Sequence, residues 1–228
     1  LLPAVRPVIQ GVAQNMVAAS SSDTAKAVAG GATKSYGGFL RYSDKGISLG
    51  GGYLRTVLPG KTKLDAWTLG GSYRSGALYL NMGYGENKIK REALNTNSLA
   101  SLMTGLVNRA VDSAIINGYW GGQTNGGFQA GDANKRRMYK IGFGYQFTPQ
   151  INAGLHYYHA KQSGSSTGAS NGKANFIVAA ADYAFSKRTD AYLAVDHTKV
   201  SGGNGMFIDA ASQARSRTGV TVGLRHRF

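Results

Sequence analysis

The side chains best suited to catalysis or metal binding are histidines, and their spacing separates them. His156 and His159 are three residues apart, so in a strand they point to opposite faces and form a poor metal pair. Asp196 and His197 are adjacent and point apart for the same reason, and His226 stands alone near the C-terminus. The chain has no Cys, so it has no thiol nucleophile or thiolate metal site. The sequence therefore predicts no enzymatic reaction, no metal and no cofactor.

Two glycine clusters could in principle cradle a phosphate group, but their sequence context argues against it. Neither Gly50-Gly51-Gly52 nor Gly70-Gly71 is followed by the Lys-Ser/Thr pair or the helix that a phosphate-binding loop requires. In strands, such glycines permit bending and close approach of neighbouring backbone. We therefore expect them to shape a sheet rather than bind a nucleotide.

The chain is strongly basic, with a formal net charge of +15 from 26 Lys and Arg against 11 Asp and Glu. Proteins that bind nucleic acid gather such charge on a basic helix or within a recognisable motif. Here the basic residues are dispersed, many of them in predicted strands, which disfavours a nucleic-acid partner. A basic wall around a pore would instead raise the local concentration of anions.

The closing segment, Thr218–Phe228, shows the pattern that organises most of the chain. One side of an extended strand is apolar and the other polar: Val220, Val222, Leu224 and Phe228 against Thr221, Gly223, Arg225 and Arg227. Nine segments from Ser35 onward alternate in this way, joined in turn by short turns and longer polar loops. No apolar run approaches the roughly 18 residues of a transmembrane helix. The pattern predicts an all-β protein, a transmembrane antiparallel up-and-down β-barrel with about nine or ten strands visible in this chain.

Two segments break the alternation and follow helical spacing instead. Residues 1–33 are predicted as an N-terminal helical or loop segment, with a helix over residues 5–19, and residues 34–228 as the barrel. A second short helix is predicted over residues 98–112, with Asn97 or Ser98 as its N-cap. The barrel is thus expected to carry short helical insertions.

The strand count contains a conflict between Gly85 and Met138. If all the short turns lie at one end of the barrel, an even number of strands must separate these two residues. The sequence offers one candidate strand, Ala114–Gly122. Either this candidate belongs to a long loop, or a further strand is present, or one short turn is assigned wrongly.

The last hairpin and the chain end resemble a known family. Ser186-Lys187-Arg188-Thr189-Asp190 is predicted as the turn of this hairpin. This turn and the closing segment Val222–Phe228 are similar to those of Gram-negative general porins, in particular the beta-proteobacterial type. The resemblance implies sixteen strands for a complete member. This chain is then expected either to lack N-terminal strands or to form a smaller closed barrel of ten or twelve. The resemblance also implies a homotrimer and a loop folded into the pore. The family's acidic loop motif is not found in this chain, so no constriction residues are carried over.

The expected function is an outer-membrane porin, a passive diffusion channel for small hydrophilic solutes and ions in which anions are favoured. Its expected partners are solutes, anions and outer-membrane lipids. Placing a basic side chain at the lipid midplane costs about 2–4 kcal/mol, so charges on the polar strand faces are expected to point inward. The residues predicted to line the pore are Arg41, Arg74, Lys140, Asp182, Asp196, Arg225 and Arg227.

The C-terminal aromatic residue, Phe228, is predicted to be the assembly signal of the last strand. Two other functions remain open at this point. One is a non-conducting barrel that serves as an adhesin or structural scaffold, with the N-terminal helix as a plug. The other is a barrel enzyme, which would require His and acidic groups clustered near the outer rim.

Overall fold

The computed structural model describes residues 33–93, 96–120, 132–203, 207–209 and 212–228. Within these residues the chain forms nine β-strands and one α-helix, α1, which spans Leu99–Trp120. The strands are β1 (Lys34–Asp44), β2 (Ile47–Val57), β3 (Lys63–Ser75), β4 (Leu78–Lys90), β5 (Lys135–Gln146), β6 (Ile151–Ser163), β7 (Gly172–Ala184), β8 (Thr189–Ser201) and β9 (Ser216–His226). The predicted helix over residues 5–19 lies outside the described residues. In the described part of the chain, no helix is both long and apolar enough to cross a membrane.

All nine strands belong to one antiparallel sheet in which neighbours in sequence are also neighbours in space. The order runs from β1 at one end of the sheet to β9 at the other. This up-and-down arrangement confirms the all-β prediction and its nine alternating segments. It is also the arrangement from which up-and-down barrels are built.

Short turns and longer connections alternate along the chain. The short turns consist of residues 45–46, 76–77, 147–150 and 185–188, and the strand ends that they join are called the short-turn end. The longer connections consist of residues 58–62, 91–134, 164–171 and 202–215, and the strand ends that they join are called the long-loop end. The first turn has positive φ at Lys45 and Gly46, the backbone of a type I′ hairpin turn. In two others a hydroxyl, that of Thr148 or Ser186, accepts backbone N–H groups across the turn.

The conflict over strand number is resolved by direct pairing of β4 with β5. Their register runs from Leu78↔Tyr145 to Lys88↔Lys135, so no strand lies between them. The predicted strand Ala114–Gly122 is wrong, because its residues as far as Trp120 belong to α1. A short apolar run of this kind cannot be assigned to strand or helix by periodicity alone.

The predicted helix over residues 98–112 is confirmed and continues to Trp120. Its N-cap is Ser98, whose Oγ accepts the backbone N–H of Ser101 at 3.1 Å. That bond satisfies one of the N–H groups that the first helical turn leaves without a partner. The alternative cap, Asn97, lies one residue before this position.

The chain divides into two compact units that pack in different ways. The described part of the first, here the loop unit, comprises residues 33–36, 55–65, 89–93 and 96–120. Its apolar core consists of the buried side chains of Leu58, Leu64, Ile89 and Ile116. The second, here the sheet unit, comprises residues 37–54 and 66–88 and the described residues from Asp132 to Phe228. Its strands leave many large apolar side chains exposed.

Candidate functional site

The sheet unit has one apolar face and one polar face, and its cross-strand registers show both directly. On the apolar face one row across β5 to β9 consists of Phe143, Leu155, Ala179, Val195 and Val220. The adjacent row on the polar face consists of Gly142, His156, Val178, Asp196 and Gly219. Phe143 is 45 % exposed and Val220 is 66 % exposed, so these apolar side chains are not covered by protein within the described residues. Such a face is suited to contact with lipid.

Every residue predicted to line a pore lies on the polar face. The registers of β4 to β9 place Lys140, Asp182, Asp196 and Arg225 there. Arg41 lies between the exposed Leu40 and Tyr42 of β1 and points to the opposite face from them, and the Arg74 guanidinium stacks over the ring of Tyr79, 5.1 Å from its centroid. These placements agree with the side-chain alternation predicted from the sequence.

The predicted site residues are brought together at the short-turn end by a residue that the sequence assigned to a turn. Asp190 is 8 % exposed and pairs in register with Arg225. Its Oδ2 accepts hydrogen bonds from Nε and Nη2 of Arg225 at 3.1 and 2.8 Å, and Nη2 of Arg227 lies 3.6 Å away. Arg225 and Arg227, both predicted to line the pore, therefore share one carboxylate. Asp190 is an even number of residues from Tyr192 and Asp196, so all three side chains point to the same face of β8. With the start of β8 at Thr189, the sequence alone would have placed Asp190 on the polar face.

The remaining predicted charges are more loosely compensated. Asp196 lies 3.8 Å from Arg217, a basic residue absent from the predicted set. Arg41, Arg74 and Lys140 form no salt bridge with any residue that the structure describes. The polar face thus carries paired charge beside Asp190 and unpaired positive charge elsewhere.

Glycines on the polar face make room for large side chains of the neighbouring strand. Four directly opposite pairs share this arrangement: Gly83 with Lys140, Gly142 with His156, Gly219 with Asp196, and Gly223 with Tyr192. A Cβ built on these glycines would lie only 2.9, 2.3, 2.4 and 2.4 Å, respectively, from the facing side chain. The polar side chains therefore lie across the neighbouring strand in space that only glycine leaves open.

The apolar face ends in aromatic residues towards both ends of its strands. Towards the short-turn end, Tyr145 packs edge-on against Phe147 and Tyr183 against Phe185, each pair with ring centroids 5.0 Å apart. Towards the long-loop end, the ring of Tyr84 lies 4.7 Å from both Trp67 and Tyr139. Amphipathic rings at two levels are typical of the boundaries between lipid and water.

The histidines do not form a site. His156 lies on the polar face, whereas His159 and His197 lie on the apolar face, as their spacing predicted. Among the described residues, no group of three or more His, Asp or Glu side chains is arranged to hold a metal ion.

In the loop unit, the buried carboxylate of Asp112 on α1 holds the connection between β2 and β3. It accepts the backbone N–H of Gly60 at 2.8 Å and that of Thr62 at 3.2 Å. The same helical face buries Ile116 one turn later. No pattern in the sequence predicts this contact, because its partners are about fifty residues away along the chain.

Charged side chains of the loop unit form two further clusters. Asp65 pairs with Arg55, whose Nη2 lies 2.9 Å from Oδ2, and with Lys90 at 3.1 Å. Lys63 pairs with Glu92 at 2.7 Å. The hydrogen bond and positive charge of Lys63 hold the pKa of the Glu92 carboxyl below its usual range.

A family model described as Gram-negative porin matches residues 7–203, most of the chain. The chain belongs to the Gram-negative porin family. This porin is therefore an outer-membrane β-barrel protein, and the family prediction made from the last hairpin is confirmed. The narrower beta-proteobacterial assignment stays a prediction.

Solved outer-membrane structures have folds similar to that of this porin at low sequence identity. A loop L8 deletion mutant of OmpT, an outer membrane protein of Vibrio cholerae, has a TM-score of 0.53 at 8 % identity, over 85 % of this chain and 53 % of that chain. OmpF of Salmonella typhi, in complex with daunomycin, has a TM-score of 0.51 at 15 % identity, over 83 % and 49 %. This porin spans about half the length of these structures. No curated protein matches it.

Proposed function

We propose that this porin forms the wall of a passive diffusion channel for small hydrophilic solutes and ions, with anions favoured. Family membership supports a channel rather than an enzyme. The observation that carries the proposal is the division of the sheet into an apolar face and a polar, Gly-rich face. A barrel closed from such strands turns its apolar face to lipid and its polar face to water. The proposed pore-lining residues are Arg41, Arg74, Lys140, Asp182, Asp196, Arg225 and Arg227, with Asp190 added.

The balance of charge on the polar face supports the preference for anions. Asp190 offsets part of the charge of Arg225 and Arg227. Arg74 and Lys140 keep their charge without a salt bridge to any described residue, so the positive charge of the face is not fully compensated. Fixed charge of one sign along a narrow low-dielectric wall concentrates ions of the other sign.

The channel proposal is tested in planar bilayers with the purified, folded protein. Discrete conductance steps are expected, and a KCl gradient should give reversal potentials that indicate preference for chloride. The Lys140→Glu variant should shift the reversal potential towards potassium, whereas Lys45→Glu, an equal charge change in a short turn, should shift it little. A folded protein without conductance would overturn the channel and favour the non-conducting adhesin or scaffold. Conductance with a preference for potassium would overturn the anion preference alone.

Assembly belongs to the same proposal. Family membership supports a homotrimer, to be checked by native mass spectrometry of the detergent-solubilised protein. The Phe228 ring is fully exposed and packs edge-on against His226, with centroids 4.8 Å apart. If Phe228 is the assembly signal, Phe228→Ala should lower the fraction of the chain recovered folded in outer membranes. Phe185→Ala, which removes another exposed ring at the short-turn end, is the control and should not.

A further inference from the structure

The apolar face of the sheet unit becomes basic at its long-loop end. In this region Glu86, Arg137, Lys161 and Lys173 stand directly opposite one another in one row across β4 to β7. Lys199 on β8 is diagonal to Lys173, because Lys173 pairs with Ser201 and Asn175 with Lys199. Together, Arg137, Lys161, Lys173 and Lys199 are called the cationic row below.

Within the part of the chain that the structure describes, the carboxylate that pairs with this row is Glu86, which lies at one end of the row and is already engaged. Glu86 pairs with Lys135 at 3.2 Å and with Arg137 at 3.4 Å. Lys161 and Lys173 are exposed, and neither forms a salt bridge within the described residues. The connection between these two lysines, residues 164–171, contains no Asp or Glu. Two like charges directly opposite in a sheet are destabilising unless an anion lies between them.

The residues that follow the cationic row along each strand indicate its level relative to the membrane. The next row on the same face contains Tyr84, Tyr139, His159 and Asn175. Asn175 Oδ1 accepts a hydrogen bond from the Tyr157 hydroxyl at 2.8 Å and lies 2.7 Å from His159 Nδ1. The following row contains Ile141 and Ile177 on either side of Tyr157 and is largely apolar.

This order places the cations at the level of lipid headgroups. Aromatic residues with a polar atom occupy the boundary between hydrocarbon and water. The cationic row lies two residues beyond them, about 7 Å further along each strand. Lys side chains at such a position reach the interface with the charged atom while the methylene stem stays on the apolar surface.

We propose that the cationic row binds phosphate groups of anionic lipids in the membrane leaflet at the long-loop end. Arg137 can hold phosphate oxygens through its planar guanidinium, and the lysines act as point charges beside it. The occupant is a lipid rather than free phosphate because the row continues an apolar face on which acyl chains lie. The proposal uses the membrane-facing side of the sheet and does not depend on conduction.

The proposal is tested by measuring lipid retention with native mass spectrometry. The full chain in detergent micelles is titrated with phosphatidic acid, with phosphatidylcholine, and with inorganic phosphate. The variant carries Lys161→Gln, Lys173→Gln and Lys199→Gln. The control carries Lys45→Gln, Lys187→Gln and Arg188→Gln, which remove the same charge from exposed turns at the short-turn end. Circular dichroism confirms that each protein is folded.

The parent protein should retain phosphatidic acid at least about tenfold better than phosphatidylcholine, since each basic residue near an anionic surface contributes favourably. The variant should lose most of this preference and the control should keep it. Equal retention by variant and parent would overturn the proposal. So would displacement of the lipid by an equal concentration of inorganic phosphate, which identifies a free-anion site. Loss of oligomers in the variant without anionic lipid would also overturn it, because the row would then be a subunit contact.

Discussion

Two buried carboxylates, one in each unit, hold different kinds of partner. Asp112 in the loop unit accepts two backbone N–H groups, whose positions are fixed by the chain itself. Asp190 in the sheet unit faces Arg225 and Arg227, whose side chains are more than half exposed. In both, burial of the charge is offset by donors. Asp112 therefore holds a loop in place, whereas Asp190 adjusts the charge of the polar face.

The largest expected effect comes from removing the Asp112 carboxylate, which holds the connection between β2 and β3. Asp112→Ala should lower the free energy of unfolding of the loop unit by about 3 kcal/mol, because two backbone N–H groups lose a charged acceptor. Amide hydrogen exchange at Gly60 and Thr62 should speed up markedly. Ser113→Ala, which removes the acceptor of one hydrogen bond from Arg91, is the control and should cost about 1 kcal/mol. Unchanged exchange at Gly60 and Thr62 would show that Asp112 does not hold the loop.

The stability of the sheet unit should fall when a Cβ fills the space that a polar-face glycine leaves for the facing side chain. In Gly142→Ala the new Cβ would meet the His156 ring, so that ring must leave its position across the strand. Overpacking of this kind costs about 1–3 kcal/mol, measurable as a lower urea midpoint. Gly38→Ala in β1 is the matched control, because nothing lies within 4 Å of its Cβ position. Equal effects at both glycines would mean that strand propensity, rather than the facing side chain, decides the cost.

The strands could be predicted from sequence and the two carboxylate contacts could not, for different physical reasons. Alternation with a period of two is local, so it gave the nine strands and placed Lys140 and Arg225 on one face. The hydrogen bonds of Asp112 join segments far apart in the chain and leave no periodic trace. Asp190 was assigned to a turn because a strand boundary was misplaced by one or two residues. The segment Ala114–Trp120 was assigned to a strand because a short apolar run fits either structure.

A smaller change tests Asp190 as the carboxylate that sets surface charge. Asp190→Asn should destabilise the sheet unit by only about 1 kcal/mol, because its arginine partners are largely exposed and screened by water. It should nevertheless leave Arg225 and Arg227 uncompensated, so that reversal potentials in a KCl gradient shift further towards chloride. Asp44→Asn, an equal charge change at the exposed end of β1, is the control. An equal shift in both variants would show that the effect follows from net charge and not from position.

The smallest expected effect concerns the ion pair Lys63–Glu92 in the loop unit, which is exposed, whereas Asp112 and Asp190 are buried. Since the pKa of Glu92 is lowered in the folded protein, the pair stabilises above the usual glutamate pKa of about 4.3 and loses this effect as pH falls through the folded value. Glu92→Gln should therefore lower the urea midpoint slightly at pH 7, and the difference from the parent should vanish in acid. Because exposed pairs are screened, high salt should also remove the difference at pH 7. A difference that persists in acid would assign the effect to hydrogen bonding of the Glu92 side chain rather than to its charge.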